Sequence, residues 1–242
     1  MTSATTDRNL ATRPVGAMAL AKTEDVKHGG TTSSDLEIPR ALILQGLSPD
    51  VIEGGLKVGT IINSLTKETL DDQFIALFPF KQYIKFTEEG KVEWKTIDRT
   101  DPRVEAGLQW VGDEAPEVTE FINMLCIWRV GGEWDISMPL ILSFKKTSLR
   151  IGRQFNTLLS LSQAQGKPYY AVPYRIKTYL KQDGQKSWYL PKISPVPTKD
   201  GKLPKEVLEA CATYTAQFKP MIKDLPVEVV DPEQGGGVGQ ED

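Results

Sequence analysis

The sequence predicts a mainly β protein with peripheral helices, on two observations. Three pairs of β-prone runs, at 74–97, 120–144 and 170–193, are each joined by a short turn containing glycine. Two stretches, at 147–165 and 205–219, instead repeat apolar residues at helical spacing. With 242 residues, 40% of them hydrophobic, the chain can bury one substantial core.

Residues 1–36 are rich in Thr, Ser, Ala and Gly without a sustained period and read as a mobile N-terminal arm. The domain, 37–223, opens at Ile38-Pro39-Arg40 with an apolar run at 41–44, a turn at Ser48-Pro49-Asp50 and a short strand at 59–65. FIALFPF at 74–80 and YIKF at 83–86 continue extended to the turn Glu88-Glu89-Gly90, and VEWKTI at 92–97 returns with alternating polarity. The acidic stretch 98–117, with Pro102, Gly107, Gly112 and Pro116, is longer than an ordinary loop and reads as an excursion outside the core. EFINMLCIWRV at 120–130 and WDISMPLILSF at 134–144 form a second hairpin around Gly131-Gly132.

Thr147 is placed to cap a helix with Leu149, Ile151, Phe155, Leu158 and Leu159 on its apolar side, and Gly166-Lys167-Pro168 stops it. A long strand at 170–180, interrupted by Pro173, turns at Asp183-Gly184 into 186–193. Beyond Ser194-Pro195-Val196-Pro197, a helix at 205–219 starts after Pro204 and carries Val207, Leu208, Cys211, Tyr214 and Phe218 on one side. Residues 224–242 form an acidic flexible tail. One helix between late strands and another after them fit an OB-like Greek-key barrel with an inserted helix and a C-terminal helix.

Composition narrows the function. No apolar run approaches the roughly 18 residues of a membrane span, so no membrane partner is expected. The single histidine, His28, lies in the arm, and Cys126 and Cys211 are far apart and expected to be reduced and buried. There is no CxxC, HxxxH, P-loop, GxGxxG or GxSxG. Asp98, Asp101, Glu105, Asp113 and Glu114 show no recurring ligand spacing. The expectation is a protein without catalytic residues, bound metal or cofactor.

Charge is segregated. Residues 140–192 hold ten Lys and Arg against Asp183 alone, about +9, in a chain whose net charge is -3. Solubility alone is served by interspersed charge, so this separation asks for another cause. Eight aromatics share the window, and cations interleaved with rings are what a groove for unpaired nucleic acid requires. By strand parity Arg175, Lys177, Tyr179 and Lys181 fall on one sheet face, which Trp188 or Tyr189 extends according to hairpin register. Lys145, Lys146, Arg150 and Arg153 flank the start of the inserted helix, where free N–H groups favour phosphate. Tyr83, Lys85 and Trp94 repeat the pattern on a smaller scale. Against these stands the plainer reading of core rings and a solvated basic surface. A protein of another class, a virion structural or assembly protein using the basic strip for subunit contacts, is the alternative. The acidic tail suits docking on basic partner proteins or competition with DNA, and self-association into a homo-oligomer is left open.

Certain residues resemble a known family. Ile38-Pro39-Arg40, then Leu44-Gln45-Gly46-Leu47-Ser48-Pro49 and Lys57-Val58-Gly59-Thr60-Ile61, resemble the opening of bacteriophage-encoded single-stranded DNA-binding proteins. Ser143-Phe144-Lys145-Lys146-Thr147-Ser148-Leu149 with Arg153-Gln154-Phe155-Asn156-Thr157-Leu158 resembles their helix entry, as does Tyr174-Arg175-Ile176 turned onto Trp188-Tyr189. The resemblance spans about residues 38–193. It implies an OB-type barrel that coats transient single strands in phage DNA replication or recombination, without sequence preference, in the cytoplasm of the infected host, and an acidic tail that contacts replication proteins. The chain ends Gln240-Glu241-Asp242, so a docking peptide ending in Phe is not implied.

Overall fold

A computed structural model of the protein describes residues 38–197 and 202–224. The predicted arm, 1–36, and the acidic tail after Asp224 lie outside the described residues. Strands run at Arg40–Ile43 (β1), Ile61–Asn63 (β2), Gln73–Phe86 (β3), Val92–Thr96 (β4), Val118–Val130 (β5), Glu133–Lys145 (β6), Pro173–Asp183 (β7) and Lys186–Pro195 (β8). Helices occupy Pro49–Ile52 (α1), Pro102–Gly107 (α2), Leu149–Ala164 (α3) and Lys205–Phe218 (α4). The eight strands form one sheet ordered β2-β1-β6-β5-β3-β7-β8, with β4 paired to β3. The protein is mainly β with peripheral helices, and its sheet curls into a half-barrel.

The hairpins follow from their turns. Gly131 and Gly132 take φ of 59° and 90° between β5 and β6, and Gly184 takes 58° between β7 and β8. Side chains other than Gly, Asn and Asp rarely enter that region. In β3 the partner of Ala76 is Cys126 but that of Phe78 is Leu125, so one extra residue is accommodated at Leu77. Such a bulge increases local twist and reverses the alternation that follows. As a result Ile75, Leu77, Phe78 and Phe80 all join one apolar cluster, away from Phe74 and Ala76.

The sheet is therefore covered on both faces. On one, α3 inserts Phe155 and Leu159 among Phe74, Ile122, Phe144 and Tyr174. The ring of Phe155 meets Tyr174 edge-on at 4.8 Å, and Phe74 stacks on Trp128 at 4.9 Å. Gly152 lets the helix approach, since a Cβ there would lie 2.8 Å from Cβ of Phe144. On the other face, α4 buries Val207, Cys211 and Phe218 against Phe78, Leu125 and Ile127. Cys126 and Cys211 are free and buried in different clusters. Burial pushes the Cys211 thiol up to about 12 and that of Cys126 well above its ordinary value.

Several expectations need correction. Residues 169–171 form a 3-10 turn and β7 begins only at Pro173, whose missing N–H suits the first position of a strand. A 3-10 turn at Lys146–Ser148 precedes α3, and there Ser148 rather than Thr147 supplies the local side-chain bonds. Its hydroxyl accepts from the Lys145 N–H at 2.9 Å and donates to the Lys145 carbonyl at 2.9 Å. The acidic excursion, expected to lie outside the core, contains α2. Its Val104 is fully buried with Tyr83 and Val118.

The edges of the curl are drawn together beyond β1. The Gln45 amide accepts from the Tyr189 N–H at 2.8 Å and donates to the Tyr189 carbonyl at 3.1 Å, serving β8 as a neighbouring strand would. The Thr178 hydroxyl donates to the Gly59 carbonyl at 2.8 Å, and Gly59, at φ 78°, lies against the Tyr189 ring. Among the described residues no helix is long and apolar enough to cross a membrane.

Candidate nucleic-acid interface

The Asp183-Gly184 turn fixes how β7 meets β8. Asp183 pairs with Lys186, so Lys181 faces Trp188, Tyr179 faces Leu190, Lys177 faces Lys192 and Arg175 faces Ser194. Residues directly opposite in an antiparallel pair project from the same face. Arg175, Lys177, Tyr179 and Lys181 thus share a face, as their parity predicted, and Trp188 rather than Tyr189 completes it. Lys192, absent from the predicted set, joins them. The turn dipeptide held the signal for it, because pairing counted back from Asp183 and Lys186 puts 192 opposite 177.

The charges on this face are unevenly compensated. Arg175 has its Nε 3.1 Å from Oδ2 of Asp72. Lys181 holds its Nζ 5.4 Å from the centre of the Trp188 ring. Lys177 and Lys192 are exposed, directly opposed, and have no acidic partner among the described residues. Tyr179 is 44% exposed, whereas Trp188 is half-buried with its indole N–H enclosed and without an acceptor among the described residues.

Two clefts adjoin here. One, of about 270 Å³, is lined by Arg175, Lys177, Lys192 and Ser194. The other, of about 570 Å³, lies between α3 and the hairpin and is bordered by Ile151, Gln154, Leu158, Tyr179, Pro191 and Lys192 among others. Lys192 belongs to both. On α3, Arg150, Gln154, Leu158 and Leu161 follow one another at steps of four, four and three residues, which places them in one row along the helix. Arg150 therefore continues the line of the larger cleft by one helical turn.

Of the other cations at the helix entry, Arg153 and Lys145 are engaged elsewhere. Arg153 donates to Glu120 at 2.8 Å, and Lys81 reaches the same carboxylate at 2.7 Å. Burial raises the Glu120 pKa, but the hydrogen bonds from Lys81 and Arg153 outweigh it and hold the carboxyl below its ordinary value. Lys145 lies 5.8 Å from the Phe121 ring centre. Lys146 is exposed and adopts φ 46°, a left-handed conformation uncommon outside glycine.

Tyr83, Lys85 and Trp94 are not brought to this face. Tyr83 is 1% exposed, and its ring is sealed beneath α2 with no free side for a base. Trp94 packs on the same cluster with the Arg103 guanidinium 4.7 Å from its ring centre. Lys85 meets Glu117 at 2.8 Å and Glu93 at 3.7 Å, and the Glu117 hydrogen bond raises its pKa. The separation follows from topology: Tyr174 pairs with Phe74 and β7 runs antiparallel to β3. Tyr83 lies nine residues along β3 in one direction and Lys181 seven along β7 in the other, roughly 50 Å apart along the ribbon at about 3.3 Å per residue.

Comparison with curated proteins and with solved structures gives no match. A family model described as Pam3 phage gp34-like protein matches residues 10–219, most of the 242. That description names neither a ligand nor an activity, and it agrees with the phage character implied by the sequence resemblance. The match includes every described strand and the whole of α4, so this barrel-like chain belongs to the Pam3 phage gp34-like family and is a bacteriophage protein.

Proposed function

We propose that this phage protein is a non-catalytic, sequence-independent binder of single-stranded DNA that acts in phage DNA replication or recombination in the host cytoplasm. The observation that carries the reading is the pair Lys177 and Lys192, uncompensated among the described residues. Like charges directly opposite one another weaken a hairpin, so their juxtaposition beside Arg175 and Lys181 is better explained by an anionic ligand than by folding. Exposed Tyr179 and the apolar cleft next to these cations distinguish the site from a purely electrostatic surface.

Topology supports an OB-type reading of the barrel. The order β6-β5-β3-β7-β8 is a three-strand meander with a hairpin added to its first strand, and α3 joins the meander to the hairpin. In this proposal the acidic tail remains the arm for replication proteins. The test is fluorescence anisotropy with labelled oligo-dT and with a duplex of equal length. Preferential binding of the single strand is expected. Binding to neither would refute the reading and favour a virion structural role.

A further inference from the structure

The two clefts differ in chemistry, and a single side chain separates them. The smaller is lined by Arg175, Lys177, Lys192 and Ser194, and the larger by Ile151, Leu158 and Pro191 together with Gln154, Tyr179 and Lys192. A ligand filling both must carry an anion and a flat, largely apolar group within one lysine's reach of each other. Resting on the single-strand reading, we infer that the α3–β8 cleft is a base subsite: it takes one or more unstacked nucleobases, while the adjoining cup holds the phosphate of the same strand.

The size and surroundings of the cleft fit that ligand. About 570 Å³ lies within the range of small-molecule clefts, roughly 300–1,000 Å³, and exceeds what a phosphate alone would occupy. Leu158, 38% exposed, and Leu161, 57% exposed, present apolar surface on the same row of α3 as Arg150, so the helix offers a cation and then apolar wall in sequence. Gln154 lies between them in that row and can donate to or accept from the edge of any base, which suits binding without sequence preference. A paired base is turned inward and cannot enter, so the subsite would itself select single strands.

The test compares oligo-dT with an abasic oligonucleotide of equal length and charge, using the full chain. The protein is expected to bind oligo-dT about tenfold more tightly or better, the scale of one stacked base. The double variant Q154A/L158S should bring the two affinities within about twofold by weakening dT and leaving the abasic strand unchanged. K177Q/K192Q should weaken both equally. As a readout independent of variant folding, 5-iodouracil placed in the strand should crosslink to the peptide holding residues 151–158 or to Tyr179. Equal affinity of the unaltered protein for dT and abasic strands, or crosslinks confined to other segments, would overturn the base subsite while leaving single-strand binding intact. Failure to bind either strand would instead remove the reading on which it rests.

Discussion

Neutralising Lys177 and Lys192 should move stability and affinity in opposite directions. The two ammonium groups oppose each other across the β7–β8 pair without an acidic partner among the described residues. Replacing either by Gln removes a repulsion on the scale of cross-strand pairs, so each single variant is expected to gain a few tenths of a kcal/mol, about 0.3. Binding should suffer. Among the described residues, Arg150, Lys177, Lys181 and Lys192, which lie at or next to the two clefts or the Trp188 ring, have no ion pair, and single strands contribute a log-log salt slope of about -0.7 per neutralised phosphate. The four predict a slope near -3, which K177Q/K192Q should halve to about -1.4. The assay is oligo-dT anisotropy titrated from 50 to 300 mM NaCl, on the order of the range over which such slopes are measured, with thermal melts of the same samples. A double variant that keeps the full slope would refute the placement of phosphate on this face. One that melts markedly lower would refute the claim that the pair is held against the interests of the fold.

Three further outcomes test how the site is held. Gly152→Ala drives a Cβ to 2.8 Å from Cβ of Phe144 and should cost about 1–3 kcal/mol, seen as a lower urea midpoint. Gln45→Ala leaves the Tyr189 N–H and carbonyl without their side-chain partners; a loss of about 1–2 kcal/mol is expected, with faster amide exchange at Tyr189 while the β5 amides stay protected. For pH, the folded Glu120 carboxyl sits below its unfolded value, so its contribution is complete above the ordinary Glu range near about 4.3 and is lost as pH falls through the folded value. Glu120→Gln should therefore lower stability at neutral pH and flatten its decline in acid, and a variant with the same acid slope as the natural protein would contradict the assignment.

What the sequence made legible depended on how local the rule was. The Gly turns and alternating polarity marked the hairpins, and the spacing of Val207, Leu208, Cys211, Tyr214 and Phe218 marked α4 within a residue of its ends. Parity along one strand sufficed to gather Arg175, Lys177, Tyr179 and Lys181. Nothing local distinguished Tyr83 from Tyr179, since both are tyrosines beside lysines in β-prone runs. Their fates differ because α2, within a stretch read as loop, folds over one and leaves the other uncovered.

By itself the sequence determined a mainly β chain, its hairpins and helices, and a basic, aromatic-rich segment, because turn chemistry and periodicity act within a few residues of the chain. Only the tertiary structure decided which cations share a surface. The antiparallel pairing of β7 with β3 carries the hairpin away from Tyr83 and Trp94, Glu120 and Glu117 occupy Arg153 and Lys85, and α3 lies beside β8 to form the cleft. Those outcomes turn on strand order and on carboxylates distant in the chain, to which local residue patterns are blind.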